Sequence, residues 1–308
     1  MTPASGAASD RTSALLFLSM SLAWGVNYLF VVVGLQYATA LWLAALRAGV
    51  GALGVLVYLA IVSRSSALDA RGKRDALIIG LPNTAIFLGL WFVAAPQVPA
   101  GETAILIYTF PLWVALFTPW ILGGRLSGRH WSAIAVGFFG IVLISQPWAL
   151  GTGTIAPIAL AELLGAAVSW AFGTVVFQRR FRGSVEMREA NFYQLLGGSA
   201  ALFVLALAFN PTELPRSAPN LWIAVAWIGV FGTAYAYIAW FYLLARIPAA
   251  TLSAYTFLVP LIALVAASIF FGESFTLAEF AGIGLVLLSI YWISTNRRPS
   301  PVAPTSVG

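Results

Sequence analysis

The chain repeats itself at a spacing of 149 positions, which is the separation of Pro111 from Pro260. The same register needs no gap and also pairs Trp91 with Trp240. It gives about fifteen identical pairs over roughly seventy positions, and paired proline and tryptophan are stronger evidence of a repeat than paired leucine or alanine. The two halves are therefore expected to form two copies of one structural unit.

Composition decides the environment of that unit. Hydrophobic residues make up 61% of the 308 residues and charged residues 8%, whereas soluble proteins are about half apolar and a quarter charged. A membrane-spanning helix needs about 20 apolar residues, so the length leaves room for roughly ten helices and for no sizeable soluble domain. The sequence thus predicts an all-α integral membrane protein.

Apolar runs along the chain predict ten transmembrane helices arranged as two five-helix repeats. The predicted helices are 13–35, 38–63, 76–95, 100–122, 130–146, 155–177, 190–209, 221–245, 249–271 and 276–294. The corresponding domains are a flexible tail (1–12), a first repeat (13–147), a linker (148–154), a second repeat (155–294) and a tail (295–308).

Basic residues test this count, because ten helices assign alternate loops to opposite sides. Of the sixteen Lys and Arg, fourteen fall in the tails and the four loops assigned to one side. The other side holds only Arg216, and Arg47 lies inside the second helix. Basic loops stay in the cytoplasm, so both termini are predicted to be cytoplasmic.

An odd number of helices per repeat makes the second copy enter the membrane from the opposite side. Inverted repeats of this kind are typical of secondary transporters, whose substrate site lies near mid-membrane between the halves. The repeat therefore predicts two inverted five-helix halves, with a central cavity that opens to each side in turn.

Several segments resemble the EamA-type transporters of the drug/metabolite transporter (DMT) superfamily, and the resemblance covers nearly the whole chain. They are LAWGVNYLF, ALWLAALRAGVGAL, TFPLWVALF, VSWAFGTVVFQRR, TFLVPLIALVAASIFFGES and FAGIGLVLLS. The family usually has Gly-Glu after the fourth and ninth helices. Gly272-Glu273 keeps this pair, but the first copy has Gly123-Gly124.

The resemblance implies transport of amino acids, other metabolites or toxic organic cations, commonly outward. We expect export of small metabolites, foremost amino acids, across a bacterial inner membrane. A multidrug exporter of organic cations is the alternative, and a channel or receptor would not need an inverted repeat.

Charged residues inside the bilayer are costly and tend to face a wet interior. Arg47 is expected near mid-membrane, where it would either meet a substrate carboxylate or a moving acid, or bond to backbone carbonyls of broken helices as a structural arginine. Glu162 would either couple transport to protons, neutralise Arg47 or lie in an outer vestibule. Facilitated diffusion without protons is equally compatible with so few buried acids.

Amide, aromatic and proline side chains complete the predicted site. Asn27 and Asn83 are expected either to bind substrate or to join helices. Pro111 and Pro260 free backbone carbonyls inside helices and are the predicted hinges. Deep aromatic side chains either pack the core or line the cavity, and those assigned to the cavity are Trp24, Trp91, Tyr108, Trp170, Tyr235 and Tyr255.

Other classes of function lack the residues that they require. The chain has no cysteine and a single histidine, His130, so neither a metal site nor a cofactor is expected. It offers no paired intramembrane carboxylates for catalysis, so an enzyme is not expected. Its partners should be the lipid bilayer and a small-molecule substrate, with protons as the candidate coupling ion. Nucleic acid is not expected, and the chain should act as a monomer.

Overall fold

Every element of the described chain is helical in the structure, which is a computed structural model. It describes residues 4–62, 68–98, 103, 106–123, 128–145, 156–181, 184–256, 258–259, 262, 266, 269–270, 272 and 275–295. The first α-helices are α1 (Ala4–Leu35), α2 (Ala40–Val62), α3 (Ala70–Gly80), α4 (Phe87–Ala94), α5 (Phe110–Leu122) and α6 (Gly128–Ser145). The others are α7 (Pro157–Arg180), α8 (Ser184–Phe209), α9 (Pro219–Ala226), α10 (Ala236–Leu244), α11 (Ala249–Tyr255) and α12 (Leu277–Thr295).

Six continuous helical segments are long and apolar enough to cross a membrane, namely 11–35, 40–62, 70–97, 157–180, 185–209 and 219–244. Three shorter apolar helices cover 110–122, 131–140 and 277–289. The all-helical membrane class predicted from composition is confirmed. The arrangement as ten helices in two inverted halves stays a prediction.

Charged helix ends extend several helices beyond their apolar runs. Arg179 and Arg180 occupy the last turn of α7, and Glu186 lies in the first turn of α8. Basic groups at a C-terminus and acidic groups at an N-terminus interact favourably with the helix dipole. Hydropathy ends a helix at the bilayer, so it missed these turns. Similarly, α1 begins at Ala4, inside the segment expected to be a tail.

Two π-helical segments interrupt long helices at matching places of the repeat. The first, Leu81–Ile86, joins α3 to α4, and the second, Trp227–Tyr235, joins α9 to α10. Adding 149 to the first range gives 230–235, which lies inside the second. π-helices are rare and occur mostly at functional sites, so the helices that contact these two segments are candidates for the functional site.

Each π segment packs on a helix of the other repeat. The first contacts α8 and the second contacts α2. Glycines allow both approaches: a Cβ on Gly198 of α8 would lie 2.6 Å from Thr84 Cγ2, and one on Gly51 of α2 would lie 2.9 Å from Thr233 Cβ. Polar contacts described below fix the two pairs.

The two ends of the bundle have different charge. At one end, Arg180 Nε donates to Asp75 Oδ2 at 2.6 Å, and Lys73 pairs with Glu189 at 3.8 Å, so the basic loops before α3 and after α7 meet. At the other end, the backbone N–H of Arg216 donates to the carbonyl of Tyr37 at 2.8 Å. Loops that the charge count assigned to one side are therefore neighbours.

Candidate functional site

A cavity lies among α1, α2, α4, α7 and α10, beside the turn that precedes α5. The space between its walls reaches about 480 Å³ only when the open region at its mouth is included. Its walls come from both repeats and are formed by Trp24, Gly25, Asn27, Tyr28, Arg47, Phe87, Trp91, Ile107, Tyr108, Trp170 and Tyr237. No acidic side chain is among them.

A break in the helix before α5 carries part of this wall. Tyr108 and Thr109 form a turn, and Thr109 Oγ1 donates to the carbonyl of Leu106 at 2.7 Å. The predicted hinge Pro111 lies in the first turn of α5, where a missing N–H is tolerated. Broken backbone at membrane depth normally lines a cavity, and Ile107 and Tyr108 do line it.

Aromatic rings form most of the cavity wall. Trp170 stacks on Phe87 with ring centroids 4.9 Å apart and meets Trp24 edge-on at 5.5 Å. Trp240, the repeat partner of Trp91, lies behind them at 5.8 Å from Trp24 and 5.9 Å from Trp170. Such a wall would hold a flat or apolar body by burial and by ring contacts.

Arg47 places a guanidinium against this aromatic wall, with only 1% of the residue exposed. Its Nε donates to Thr233 Oγ1 at 2.9 Å, and its Nη2 donates to the carbonyl of Gly232 at 3.4 Å. Its Cζ lies 4.8 Å from the centroid of the Trp91 ring, within the range of a cation–π contact. The ion pairs among the described residues do not include Arg47.

Several buried polar atoms on the cavity-lining residues have no hydrogen-bond partner within the described part of the chain. They are Arg47 Nη1, both amide atoms of Asn27, the indole nitrogen of Trp91 and the hydroxyl of Tyr237. A buried polar group without a partner costs about 1–3 kcal/mol. Five such atoms in one cavity are a reason to expect a polar ligand there.

Six of the ten predicted substrate-binding residues line the cavity: Trp24, Asn27, Arg47, Trp91, Tyr108 and Trp170. The other four lie elsewhere. Asn83 Nδ2 donates to Gln194 Oε1 at 3.2 Å, between helices. Tyr235 shares a hydrogen bond with Ser19 through its hydroxyl. Tyr255 meets Phe17 edge-on at 6.0 Å, and Glu162 lies on α7 with Oε2 buried and unbonded. Pro260 lies outside the described residues.

Sequence reasoning missed Gly25, Tyr28, Phe87, Ile107 and Tyr237. Helical spacing could have found Phe87, which lies one turn before Trp91 and stacks on it at 5.6 Å. No simple pattern selects Tyr237 over Tyr235. The π segment that ends at Tyr235 adds a residue to its turn and changes which side chain faces the cavity.

The described residues contain no group of three or more His, Cys, Asp or Glu side chains that could hold a metal ion. The cavity therefore offers nitrogen and hydroxyl donors, amide oxygen and aromatic faces. These groups can bind and orient a small molecule.

Comparison with known proteins identifies one family, whose profile matches two separate parts of the chain. The sequence profile described as the EamA-like transporter family matches residues 11–146 and again residues 157–295. The uncharacterized transporter YvbV of Bacillus subtilis is 29% identical, over 96% of this chain and 95% of its own. The uncharacterized inner membrane transporter YedA of Escherichia coli K12 is 26% identical, over 93% of this chain and 92% of its own.

One solved crystal structure of a protein has a similar fold. It superimposes with a TM-score of 0.69 at 18% sequence identity, covering 92% of this chain and 97% of that one. At this identity the similarity concerns the fold alone.

Proposed function

Because this chain belongs to the EamA-like transporter family, we propose that it is a secondary transporter that exports small metabolites, foremost amino acids, across a bacterial inner membrane. It is a multi-pass membrane protein. In the proposed cycle, two inverted five-helix halves rock against each other and expose the cavity alternately to the two sides. Pro111 and Pro260 are the proposed hinges.

One observation supports this proposal most strongly. The cavity is walled by rings from both repeats, and among the described residues it contains an arginine without an acidic partner together with unpartnered polar atoms. Ligand sites are usually concave and mostly apolar, with a few placed polar groups that fix orientation. An amino acid fits this chemistry, since its carboxylate would meet Arg47 and its side chain would contact the aromatic wall.

The ends of the bundle support the proposed topology. The basic loops that meet through Asp75 and Arg180 were assigned to one side by the charge count, and the loops that meet at Tyr37 and Arg216 to the other. We place both termini in the cytoplasm on this basis.

A counterflow screen on purified protein in liposomes tests the proposed function. Liposomes loaded with an unlabelled compound take up the labelled compound only if the protein carries it. The panel holds amino acids, sugars, nucleosides and quaternary ammonium cations. Counterflow of an amino acid is the expected result, and a screen without counterflow for any compound would contradict transport of these classes.

Export of organic cations is the second candidate, because aromatic rings also bind cations. Arg47 argues against it, since a buried positive charge repels a cationic substrate. Counterflow restricted to quaternary cations would establish this second candidate. Ion conductance in planar bilayers would instead indicate a channel.

Within the same proposal, the transporter works as a monomer. Glu162 is the residue that couples transport to protons. Gln97 donates a hydrogen bond to the Glu162 carboxylate, whose buried Oε2 has no hydrogen-bond partner among the described residues and could carry a proton. Under this assignment, Glu162→Gln abolishes flux driven by an imposed pH gradient but leaves counterflow intact. Wild-type flux that ignores the gradient would remove the coupling role and leave facilitated diffusion.

A further inference from the structure

The two halves hold their π segments in comparable ways but with different side chains. Thr84 and Thr233 are 149 positions apart, and each is fully buried in its π segment. Thr84 bonds to Gln194 on α8, and Thr233 bonds to Arg47 on α2. Gln194 and Arg47 therefore occupy equivalent places in the two halves. Comparing them separates the hydrogen bonds that the fold requires from the polar groups that remain free to bind a ligand.

Gln194 shows that a neutral amide is sufficient to hold a π segment. Its Oε1 accepts hydrogen bonds from Thr84 Oγ1 at 2.8 Å and from Asn83 Nδ2 at 3.2 Å. Its Nε2 donates to Asn191 Oδ1 at 3.1 Å. Gln194 is fully buried and does not line the cavity. The fold thus needs a polar group at this place and no charge.

Arg47 exceeds this requirement. Its Nε and Nη2 hold the second π segment through Thr233 and Gly232, which leaves Nη1 buried and without a hydrogen-bond partner among the described residues, on a side chain that lines the cavity. Burying an unpaired charge costs several kcal/mol, so an arginine where glutamine would serve needs a compensating anion. The described acidic side chains supply none to it.

The surroundings of Nη1 indicate which anion fits. The indole N–H of Trp91, the hydroxyl of Tyr237 and the amide N–H of Asn27 are further unpartnered donors on the same cavity. The lining residues that the structure describes include no carboxylate to bind an ammonium group. The residues that carry these donors line the same cavity as Arg47, so its polar end suits a carboxylate, while the rings of Trp24, Phe87 and Trp170 suit an apolar body.

We propose that Arg47 is the binding site for a substrate carboxylate, which we call the anion seat. Its Nη1 binds one carboxylate of the transported molecule, while Nε and Nη2 hold the second π segment. The inference rests on the proposed function, because it names the chemical class of the cargo. That class is a compact carboxylate with an aromatic or apolar body, and a positive charge on the cargo is not required. Organic cations are excluded.

Three small aromatic probes test the seat by calorimetric titration of the purified full-length protein. Benzoate, benzamide and benzylamine share a ring and differ in charge. Wild-type protein should bind benzoate at least about tenfold more tightly than the other two, since bonds between charged groups are about twice as strong as neutral ones. Equal or tighter binding of benzamide or benzylamine would overturn the inference, as would absence of benzoate binding.

Arg47→Gln is the informative variant because the other half of the protein already uses glutamine at the equivalent place. It should fold, with a cooperative melting transition, and lose the preference for benzoate. Arg47→Lys should keep part of the preference. The matched control is Gln194→Met, which should lower the melting temperature and leave the preference for benzoate unchanged. A folded Arg47→Gln protein that still prefers benzoate would refute the seat.

The two proposals fail separately. Counterflow of quaternary cations alone would refute the anion seat and leave transport intact. A benzoate preference that depends on Arg47 would uphold the seat even if no compound in the screen shows counterflow.

Discussion

At the scale of residues, two tyrosines of the cavity differ in how their hydroxyls are used. Tyr28 donates to the carbonyls of Ala95 at 2.8 Å and Val98 at 3.1 Å, whereas the buried hydroxyl of Tyr237 has no partner. The first hydroxyl stabilises the fold. The second is a cost that a bound ligand would relieve.

Tyr237→Phe should therefore separate stability from transport. We expect an unchanged or higher melting temperature, because an unsatisfied buried hydroxyl is removed, and a half-saturation concentration raised by about three- to tenfold. Tyr28→Phe is the control and should lose about 1–2 kcal/mol of stability. Melting curves and transport titrations of both variants give the comparison. Loss of stability in Tyr237→Phe equal to that in Tyr28→Phe would contradict this assignment.

Residue identity allowed most, but not all, of the cavity to be predicted. Arg47 and Asn27 were accessible because charge and amide groups are rare in apolar helices. Asn83 satisfied the same criterion but bonds to Gln194, since a sequence does not show whether a polar side chain faces a cavity or another helix. Contacts across the repeats decide that question.

At the scale of elements, close approach of α2 to the second π segment depends on glycine. A Cβ on Gly54 would lie 2.6 Å from the Cβ of Ala234, closer than side chains pack. Gly54→Ala should therefore destabilise the protein by about 1–3 kcal/mol. The measurement is the melting temperature of the purified variant.

Gly284 provides the matched control on α12. A Cβ there would have no neighbour within 4 Å. Gly284→Ala should be neutral or slightly stabilising, because alanine favours a helix by about 1 kcal/mol over glycine. Equal destabilisation by the two substitutions would show that the close approach at Gly54 is not the cause.

Helices were predictable as elements because their apolar runs are long. The π segments Leu81–Ile86 and Trp227–Tyr235 were not, because their geometry depends on packing against other helices and has no local sequence pattern. The predicted cavity residue Tyr235 ends a π segment, and Tyr237, two residues later, faces the cavity instead. The π segment changes the helical phase, so the sequence-based prediction selected Tyr235 although Tyr237 lines the cavity.

At the scale of the whole molecule, the proposed topology can be read by labelling, since the chain has no cysteine to give a background signal. Glu213 and Arg71 are both exposed. In spheroplasts, a membrane-impermeant maleimide should label Glu213→Cys directly and Arg71→Cys only after permeabilisation. The reversed pattern, or equal labelling of both variants, would contradict cytoplasmic termini.

The repeat was the strongest sequence signal at this scale, and the family profile matches the chain twice, over 11–146 and 157–295. A family profile that matches twice does not imply identical roles for the two matched regions. Arg47 lines the cavity, while Gln194 at the equivalent place holds a π segment only. The difference between Arg47 and Gln194 therefore distinguishes a residue of the candidate site from a residue that only stabilises the fold.

Counterflow in proteoliposomes, comparing wild type with Arg47→Gln, tests the central claim that the cavity at Arg47 is the transport site. We predict that the wild type accumulates a labelled amino acid against an unlabelled internal pool. The folded Arg47→Gln protein should lose at least about nine-tenths of this uptake, corresponding to the loss of one charged hydrogen bond. Undiminished uptake by Arg47→Gln, or counterflow of quaternary cations alone, would contradict the claim.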